Sequence, residues 1–360
     1  MPNFKKIKVK NLEKFVTECF VKSGMSEEDA KITADVLISS DKRGIASHGV
    51  ARLKRYTDGI KKGVMKPKAN FEILKETNNT LLVSGNDGLG QPVTYKVMKL
   101  VIEKAKKNNV AFAAIRNSNH YGIAGYYSMM ALRENLIGIS MTNSFPLVVP
   151  TYGKNALLGT NPISVAAPSN KEIPFLLDMA TSTVPRGKLE VYDRQGKKIP
   201  DFWATDTTGH PTDDPGLVLN NVKNKLGGGL LPLGGATEET GGHKGYGLAM
   251  IVEILTGILS GGAFGPFVYG KPNEPANVCH FLGAINIEAF IPLDEFKNAL
   301  DSLISILHNS EKAEGQQKIS IHGEKEFKRE NEQKEFVEIS DIVLANILEV
   351  GKSLGVNSKL

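Results

Sequence analysis

Helix-period patterns occupy both ends of this chain and short strand patterns its middle, which restricts it to a mixed α/β architecture whose termini pack around a β-rich centre. Leu12, Phe15, Val16, Cys19 and Phe20 repeat at the spacing of one helix face until Gly24 interrupts them. Ser26 and Asp29 have capping-box spacing, with Glu27 and Glu28 against the positive helix end, so a second helix is predicted from there to about Arg43. A third is predicted from Ser47, whose hydroxyl can cap it, to Gly63 and Pro67. Residues 71–74 and 80–83 are β-prone, 91–107 reads as a helix, and 110–115 as a buried strand. Further strands are predicted over 137–141, 163–167 and 175–177. The polar stretch 187–224, with Asp-Asp-Pro-Gly at 213–216, reads as long loops around short elements. Helices are predicted after Gly245, over 293–308 and over 340–354. Lys318-Ile319-Ser320-Ile321 alternates as a strand does, so the charged stretch 311–335 is read as folded.

Length and composition narrow the class further. A chain of 360 residues, 41% hydrophobic and 23% charged, is an ordinary globular protein with room for a large core. No apolar run is long enough to cross a bilayer, and Met1-Pro2-Asn3-Phe4-Lys5-Lys6 leads into no apolar segment, so neither a membrane partner nor a signal peptide is expected. Cys19 and Cys279 stand far apart without CxxC spacing, which speaks against a disulfide scaffold or structural zinc and for a reducing cytoplasm. The 44 Lys and Arg against 39 Asp and Glu leave a net charge of +5, scattered rather than gathered beside aromatics. That describes a solvated surface, not a nucleic-acid face, and only weakly favours an anionic ligand.

Both stretches that approach a dinucleotide-binding G-x-G-x-x-G, Gly88-Leu89-Gly90 and Gly245-Tyr246-Gly247, lack the third glycine, and no Walker A motif occurs. A standard Rossmann half is therefore unsupported. Gly241-Gly242-His243-Lys244-Gly245-Tyr246-Gly247 runs into a helix with Leu248, Ile251, Leu255 and Ile258 on one face. Its glycines and helix N-terminus could admit a phosphate, with Lys244 adding charge, or could form a turn before a core helix. The sequence leaves those two readings even.

Candidate chemistry begins at Ser47-His48-Gly49-Val50-Ala51-Arg52. On a helix His48 and Arg52 share one face, with Tyr56 a turn further. A 2-oxo acid requires a planar clamp for its carboxylate, which arginine offers, and a proton donor for its carbonyl oxygen, which histidine offers with a pKa near neutrality. Spacing alone equally describes a surface helix carrying both by chance. His120, in Asn117-Ser118-Asn119-His120-Tyr121-Gly122, follows a buried strand at its carboxyl end, where α/β sites gather. It could instead stabilise its own loop. Asp178, in Leu177-Asp178-Met179-Ala180-Thr181-Ser182, could orient a histidine or cap a turn. No HExxH-like spacing implies a metal.

Six motifs in register resemble the malate/L-lactate dehydrogenase family of non-Rossmann type, whose relatives include ureidoglycolate, sulfolactate and diketogulonate-reducing enzymes and a cyclic imino-acid reductase. They are Ser47-His48-Gly49 with Arg52, Ser118-Asn119-His120-Tyr121-Gly122, Gly159-Thr160-Asn161-Pro162, Asp178-Met179-Ala180-Thr181-Ser182, Gly242-His243-Lys244-Gly245-Tyr246-Gly247, and Gly323-Glu324. The resemblance implies an NAD(P)-binding fold with a mainly antiparallel central sheet. It also implies a helical domain from residues 1–70 with 325–360, a β-rich cofactor-binding region over 71–324, and a homodimer. The implied activity interconverts a 2-hydroxy acid and a 2-oxo acid with NAD or NADP. Malate/oxaloacetate leads, and lactate, ureidoglycolate, sulfolactate or a cyclic imino acid are the alternatives. A non-catalytic binding relative is disfavoured because His48, Arg52, His120 and Asp178 are all present.

By the same resemblance His48 and His120 are acid/base candidates, with Asp178 supporting a histidine. Arg52 would bind the substrate carboxylate, with Arg55 or Arg186 as the alternative cation, and Tyr56, Ser144 and Thr160 would complete the substrate site. Asp178, Met179, Ala180, Thr181, Ser182, His243, Lys244, His322, Gly323 and Glu324 would meet the cofactor. Two positions depart from the family pattern: His322 stands where relatives have proline, and Ser144 where some have lysine.

Overall fold

In a computed structural model describing residues 3–357 and 360, the chain opens with β1 (Phe4–Lys8), α1 (Val9–Lys22) and α2 (Glu27–Lys42). Met1 and Pro2, where a leader was sought, and Ser358 and Lys359 of the expected helical domain lie outside the described residues. α1 buries Leu12, Phe15, Val16, Cys19 and Phe20, the face its spacing predicts. At the start of α2 the Asp29 amide donates to the Ser26 hydroxyl, as the capping pattern requires. The predicted third helix is different. Residues Ala46–His48 and Val50–Arg52 form two 3-10 turns, and α3 (Leu53–Lys61) begins only after them. Gly49, extended at ψ −153°, separates the turns, and Ser47 caps no helix. His48 and Arg52 are therefore not i, i+4 partners on one helix.

Then come β2 (Glu72–Glu76), β3 (Thr80–Ser84), α4 (Gly90–Asn108), β4 (Val110–Ser118), α5 (Gly125–Leu132), β5 (Leu136–Thr142), β6 (Ile163–Ala167) and β7 (Phe175–Met179). A more irregular lobe carries α6 (Arg186–Arg194), β8 (Ala204–Thr205), α7 (Pro215–Asn224), β9 (Gly229–Leu230) and α8 (Gly242–Glu253). The chain returns through β10 (Val278–Asn286), α9 (Leu293–Asn309), α10 (Glu324–Glu332), β11 (Phe336–Ser340) and α11 (Asp341–Ser353).

β1 and β11 pair antiparallel, and the terminal helices share one core with Leu12, Phe15, Leu37, Val337 and Ile347. The central sheet has seven strands in the order β2-β3-β4-β10-β5-β6-β7. Only β3 and β4 run parallel, so the sheet is mainly antiparallel, as the resemblance implies. Its central strand, β10, has no counterpart among the predicted strands. Residues 278–284 are buried on both faces, which removes the alternation that marks a half-exposed strand. Gly283 in its interior admits the Phe112 ring, which a Cβ would meet at 2.9 Å.

Three further expectations are corrected. The stretch read as loops over 187–224 holds two helices, α6 and α7. The Asp-Pro pair in it is a helix start rather than a turn, since Asp214 accepts from the Leu217 amide with Pro215 in the first turn. Residues 318–321 form no strand. The chain instead reaches the sheet edge when the Leu176 amide donates to the His322 carbonyl, and Gly323 (φ +94°) turns it into α10. α8 starts at Gly242, and its core face is Gly245, Ala249, Val252 and Glu253, not the predicted aliphatic face. Ile251, Ile254, Ile258 and Leu259 are exposed along α8 and the π-turn that follows it.

Candidate active site

The two 3-10 turns, the loop after β4, the end of β5 and the start of α6 enclose a cavity of about 380 Å³. His48, Arg52, Arg55, His120, Thr160 and Arg186 line it. Ser144 is also in the wall, and its hydroxyl accepts from the Thr160 amide at 3.0 Å. Five sequence-derived candidates, His48, Arg52, His120, Ser144 and Thr160, thus meet in one place although 112 positions separate the first from the last.

The two histidine rings stack, with centroids 5.3 Å apart. Nδ1 of His48 lies 2.9 Å from the Ser47 hydroxyl. Nδ1 of His120 lies 2.7 Å from the Tyr56 hydroxyl and 3.3 Å from the Gly122 amide. Because an amide can only donate, Nδ1 of His120 is an acceptor, and a neutral ring carries its proton on Nε2. Burial is the main reason that both rings resist protonation. With Arg52 and Arg55 adding repulsion, it lowers His48 to about 4. His120 is held well below the usual histidine range by burial, then by Arg55, His48 and Arg52. The near-neutral pKa assumed from sequence does not survive in this cationic surrounding, and both rings are neutral at pH 7.

Each arginine has a different commitment. Arg52 donates from Nε to the Ser47 carbonyl at 2.6 Å, which leaves its two Nη groups for a ligand. Arg55 donates to the Tyr269 hydroxyl at 2.7 Å, and Arg186 pairs with Glu190 at 2.9 Å. Glu190 supplies the only carboxylate among the described residues of the wall.

Tyr56 is fully buried behind His120 and takes no part in the cavity wall. Asp178 engages no histidine ring through its described hydrogen bond, which comes from the Gly125 amide at 2.8 Å. Burial pushes its carboxyl up to about 6, and that amide draws it back down. It thereby anchors the start of α5, immediately after the His120 loop. Tyr269 and Thr142 also line the cavity and were not anticipated; nothing in Phe267-Val268-Tyr269-Gly270 signals a site. Glu190 had a usable signal, its i+4 spacing from Arg186.

None of the expected cofactor residues lines the cavity, but one of their segments adjoins it through backbone hydrogen bonds. Thr181 donates to the carbonyl of cavity-lining Thr160, and the Leu233 amide donates to the Thr181 carbonyl. A Cβ on Gly245 would lie 2.2 Å from the Leu233 carbonyl, and one on Gly242 2.1 Å from that of Gly235. Those two glycines are needed for packing α8 onto this segment. Gly247 has open space around it, and His243 and Lys244 are exposed. Asp178 and Met179 end β7, and Ala180 and Ser182 flank Thr181. At the other edge, the bond from Leu176 to His322 sets Gly323 beside β7. The Glu324 carboxylate is held by His308 at 2.6 Å and Lys318 at 3.0 Å.

A family model described as malate/L-lactate dehydrogenase matches residues 7–348. A malate dehydrogenase of Pyrococcus abyssi is 51% identical over 355 residues, covering 98% of this chain and 96% of that protein. An L-sulfolactate dehydrogenase of Methanocaldococcus jannaschii is 41% identical over 353 residues, covering 98% of each. Among solved structures, malate dehydrogenase from Entamoeba histolytica superposes with a TM-score of 0.94 at 36% identity, covering 99% of this chain and 100% of that one.

Proposed function

The chain belongs to the malate/L-lactate dehydrogenase family, and from that premise we propose that it interconverts malate and oxaloacetate with NAD or NADP in the cytoplasm. The observation that carries the choice of substrate is the cavity's charge: three guanidinium groups face one carboxylate, already paired with Arg186. A substrate with two anionic ends fits that excess; lactate or pyruvate, with one, leaves part of the cavity's positive charge unmatched. In this reading the Nη pair of Arg52 clamps the carboxylate next to the reacting carbon, Ser144 and Thr160 hydrogen-bond the substrate, and Arg55 or Arg186 faces the distal group.

Sulfolactate is the second reading, since its sulfonate also supplies a second negative charge and an L-sulfolactate dehydrogenase is 41% identical. A panel of oxaloacetate, 3-sulfopyruvate and pyruvate, each with NADH and NADPH, separates the cases. Oxaloacetate is expected to have a kcat/KM at least about a hundredfold above that of pyruvate, about 3 kcal/mol of discrimination. Pyruvate equal to oxaloacetate would overturn the assignment, and 3-sulfopyruvate ahead of both would install the second reading.

His120 is the proposed proton carrier. Its neutral ring carries Nε2–H, and a proton taken up with the substrate adds Nδ1–H, which the Tyr56 hydroxyl can accept. The charged ring then gives the Nε2 proton to the carbonyl oxygen and returns to neutral. His48, stacked on it, lines the same carbonyl site and shares the burden of excluding water. Asp178 acts by anchoring α5 rather than by touching a histidine. A bound nicotinamide gives the hydride in reduction and takes it in oxidation. Residues 178–182, 243–244 and 322–324 would hold the dinucleotide, with exposed Lys244 available to a phosphate. Lys244→Ala should raise the cofactor KM at least about tenfold and leave the oxo-acid KM within about twofold, as removal of one charge-assisted contact predicts. An unchanged cofactor KM in a folded variant would make the loop structural only.

We also propose a division into a helical domain (residues 1–70 with 325–360) and a cofactor region (71–324), and assembly as a homodimer. Exposed Ile251, Ile254, Ile258 and Leu259 form a strip that a second copy would cover. Ile254→Glu with Ile258→Glu should convert a dimer to monomer in sedimentation velocity. A wild-type protein that sediments as a monomer would exclude the dimer outright.

A further inference from the structure

The amide of Val50 is the first free N–H of the turn Val50–Arg52, and its partner comes from outside that turn: it donates to Oδ2 of Asp41 at 2.7 Å. Asp41 sits in the last turn of α2, nine positions earlier, and is 6% exposed. Its carboxylate fills the space over Gly49, where a Cβ would stand 1.9 Å from Oδ1. The turn beyond is chained to this point, since the Gly49 carbonyl accepts the Arg52 amide at 2.9 Å. α2 itself is fixed by Ile38, Leu37 and Ala34 in the terminal core. α2 therefore holds the loop by a polar contact through Asp41, at the glycine between His48 and Arg52, while Val50 packs into the terminal core.

Taking His48 and Arg52 as the substrate-side residues proposed above, we infer that Asp41 is the positioning residue for substrate binding: its carboxylate locks the Gly49–Val50 step and so sets His48 and Arg52 relative to the cavity. It touches no substrate. The side chain here reaches across from another element and leaves room for nothing larger than glycine at 49. Burial pushes this carboxyl up to about 7, and the Val50 amide draws it back. Such a desolvated acid is an unfavourable choice for stability alone.

The test uses the full chain with oxaloacetate and reduced cofactor. Asp41→Ala should lower kcat/KM for oxaloacetate by about ten- to a hundredfold, the scale of an ångström-sized misplacement, with cofactor KM within about twofold. Hydrogen exchange of a peptide spanning residues 47–52 should speed up in the same variant while peptides from α4 and β10 remain as in the parent. Asp41→Asn keeps an acceptor for the Val50 amide and should recover activity to within about threefold of the parent, whereas Gly49→Ala, which collides with the acid, should be impaired like Asp41→Ala. Should Asp41→Ala be unfolded, the contrast between Asp41→Asn and Gly49→Ala decides in its place. The inference fails if Asp41→Ala keeps oxo-acid kcat/KM within threefold, if both KM values rise together, or if Gly49→Ala behaves as wild type. Arg52→Met, run alongside, separates the two layers: a fully active Arg52→Met removes the substrate assignment, while exchange over 47–52 still reports whether Asp41 holds the loop.

Discussion

Arg52→Met is expected to cut kcat/KM for oxaloacetate by roughly thirtyfold to several thousandfold, with cofactor affinity little changed. That range corresponds to about 2–5 kcal/mol, the cost of breaking a hydrogen-bonded charge pair in a desolvated site. The geometry makes the prediction specific. Nε is already spent on the Ser47 carbonyl, so a carboxylate meets Arg52 end-on through its two Nη groups. Arg52→Lys keeps the charge but neither the parallel pair of donors nor the bond to Ser47, and should lie between Met and the parent. Methionine also keeps the length of the side chain, so the cavity is not opened. A loss of less than about threefold for Arg52→Met would amount to well under 1 kcal/mol and would transfer the clamp to Arg55 or Arg186.

Replacing His120 by glutamine should reduce turnover by about 10²- to 10⁴-fold, the range for a general acid or base, with cofactor binding retained. His48→Gln, expected at about a hundredfold or more, is the companion that ranks the two rings. If His120→Gln is active and His48→Gln dead, the order proposed here is reversed. The buried, cationic setting adds a pH signature. In the free protein His48 lies at about 4 and His120 is held well below the usual histidine range, so neither ring binds a proton at pH 7. A bound dianion replaces the repulsion of Arg52 and Arg55 with attraction and raises those values. Binding is then coupled to proton uptake between the free and the bound pKa, and weakens as pH rises through the bound one. Calorimetry of oxaloacetate binding to the cofactor complex in buffers of different ionisation enthalpy should register uptake of up to about one proton near pH 7. Zero uptake or net release in the parent, or an uptake that is unaltered in His120→Gln, would contradict the assignment.

Hydrophobic period and local cap chemistry were enough for α1 and for the Ser26 cap of α2, because α1 has one buried side and the cap is made by neighbouring residues. They were not enough for β10, whose two buried faces leave no alternation, nor for α8, whose aliphatic side points outward. The helix drawn through Ser47 to Arg52 failed for a related reason. His48, Arg52 and Tyr56 have helical spacing, but Gly49 is extended, and what fixes it there is the Asp41 carboxylate, packed in from another helix.

On its own, the sequence determined the mixed α/β class, the absence of a complete G-x-G-x-x-G, and the residue types able to clamp a carboxylate and carry a proton. These are matters of local spacing and side-chain chemistry, which the chain carries wherever it goes. Only the tertiary structure decided that His48, Arg52, His120, Ser144 and Thr160 share one cavity, and that Tyr56 is buried against His120 outside the cavity wall. It alone also decided that Asp178 grips the Gly125 amide and that both histidines are neutral. Proximity, burial and the field of Arg52 and Arg55 arise from contacts between segments far apart in the chain, and a pKa or a tautomer responds to those contacts and not to the order of residues.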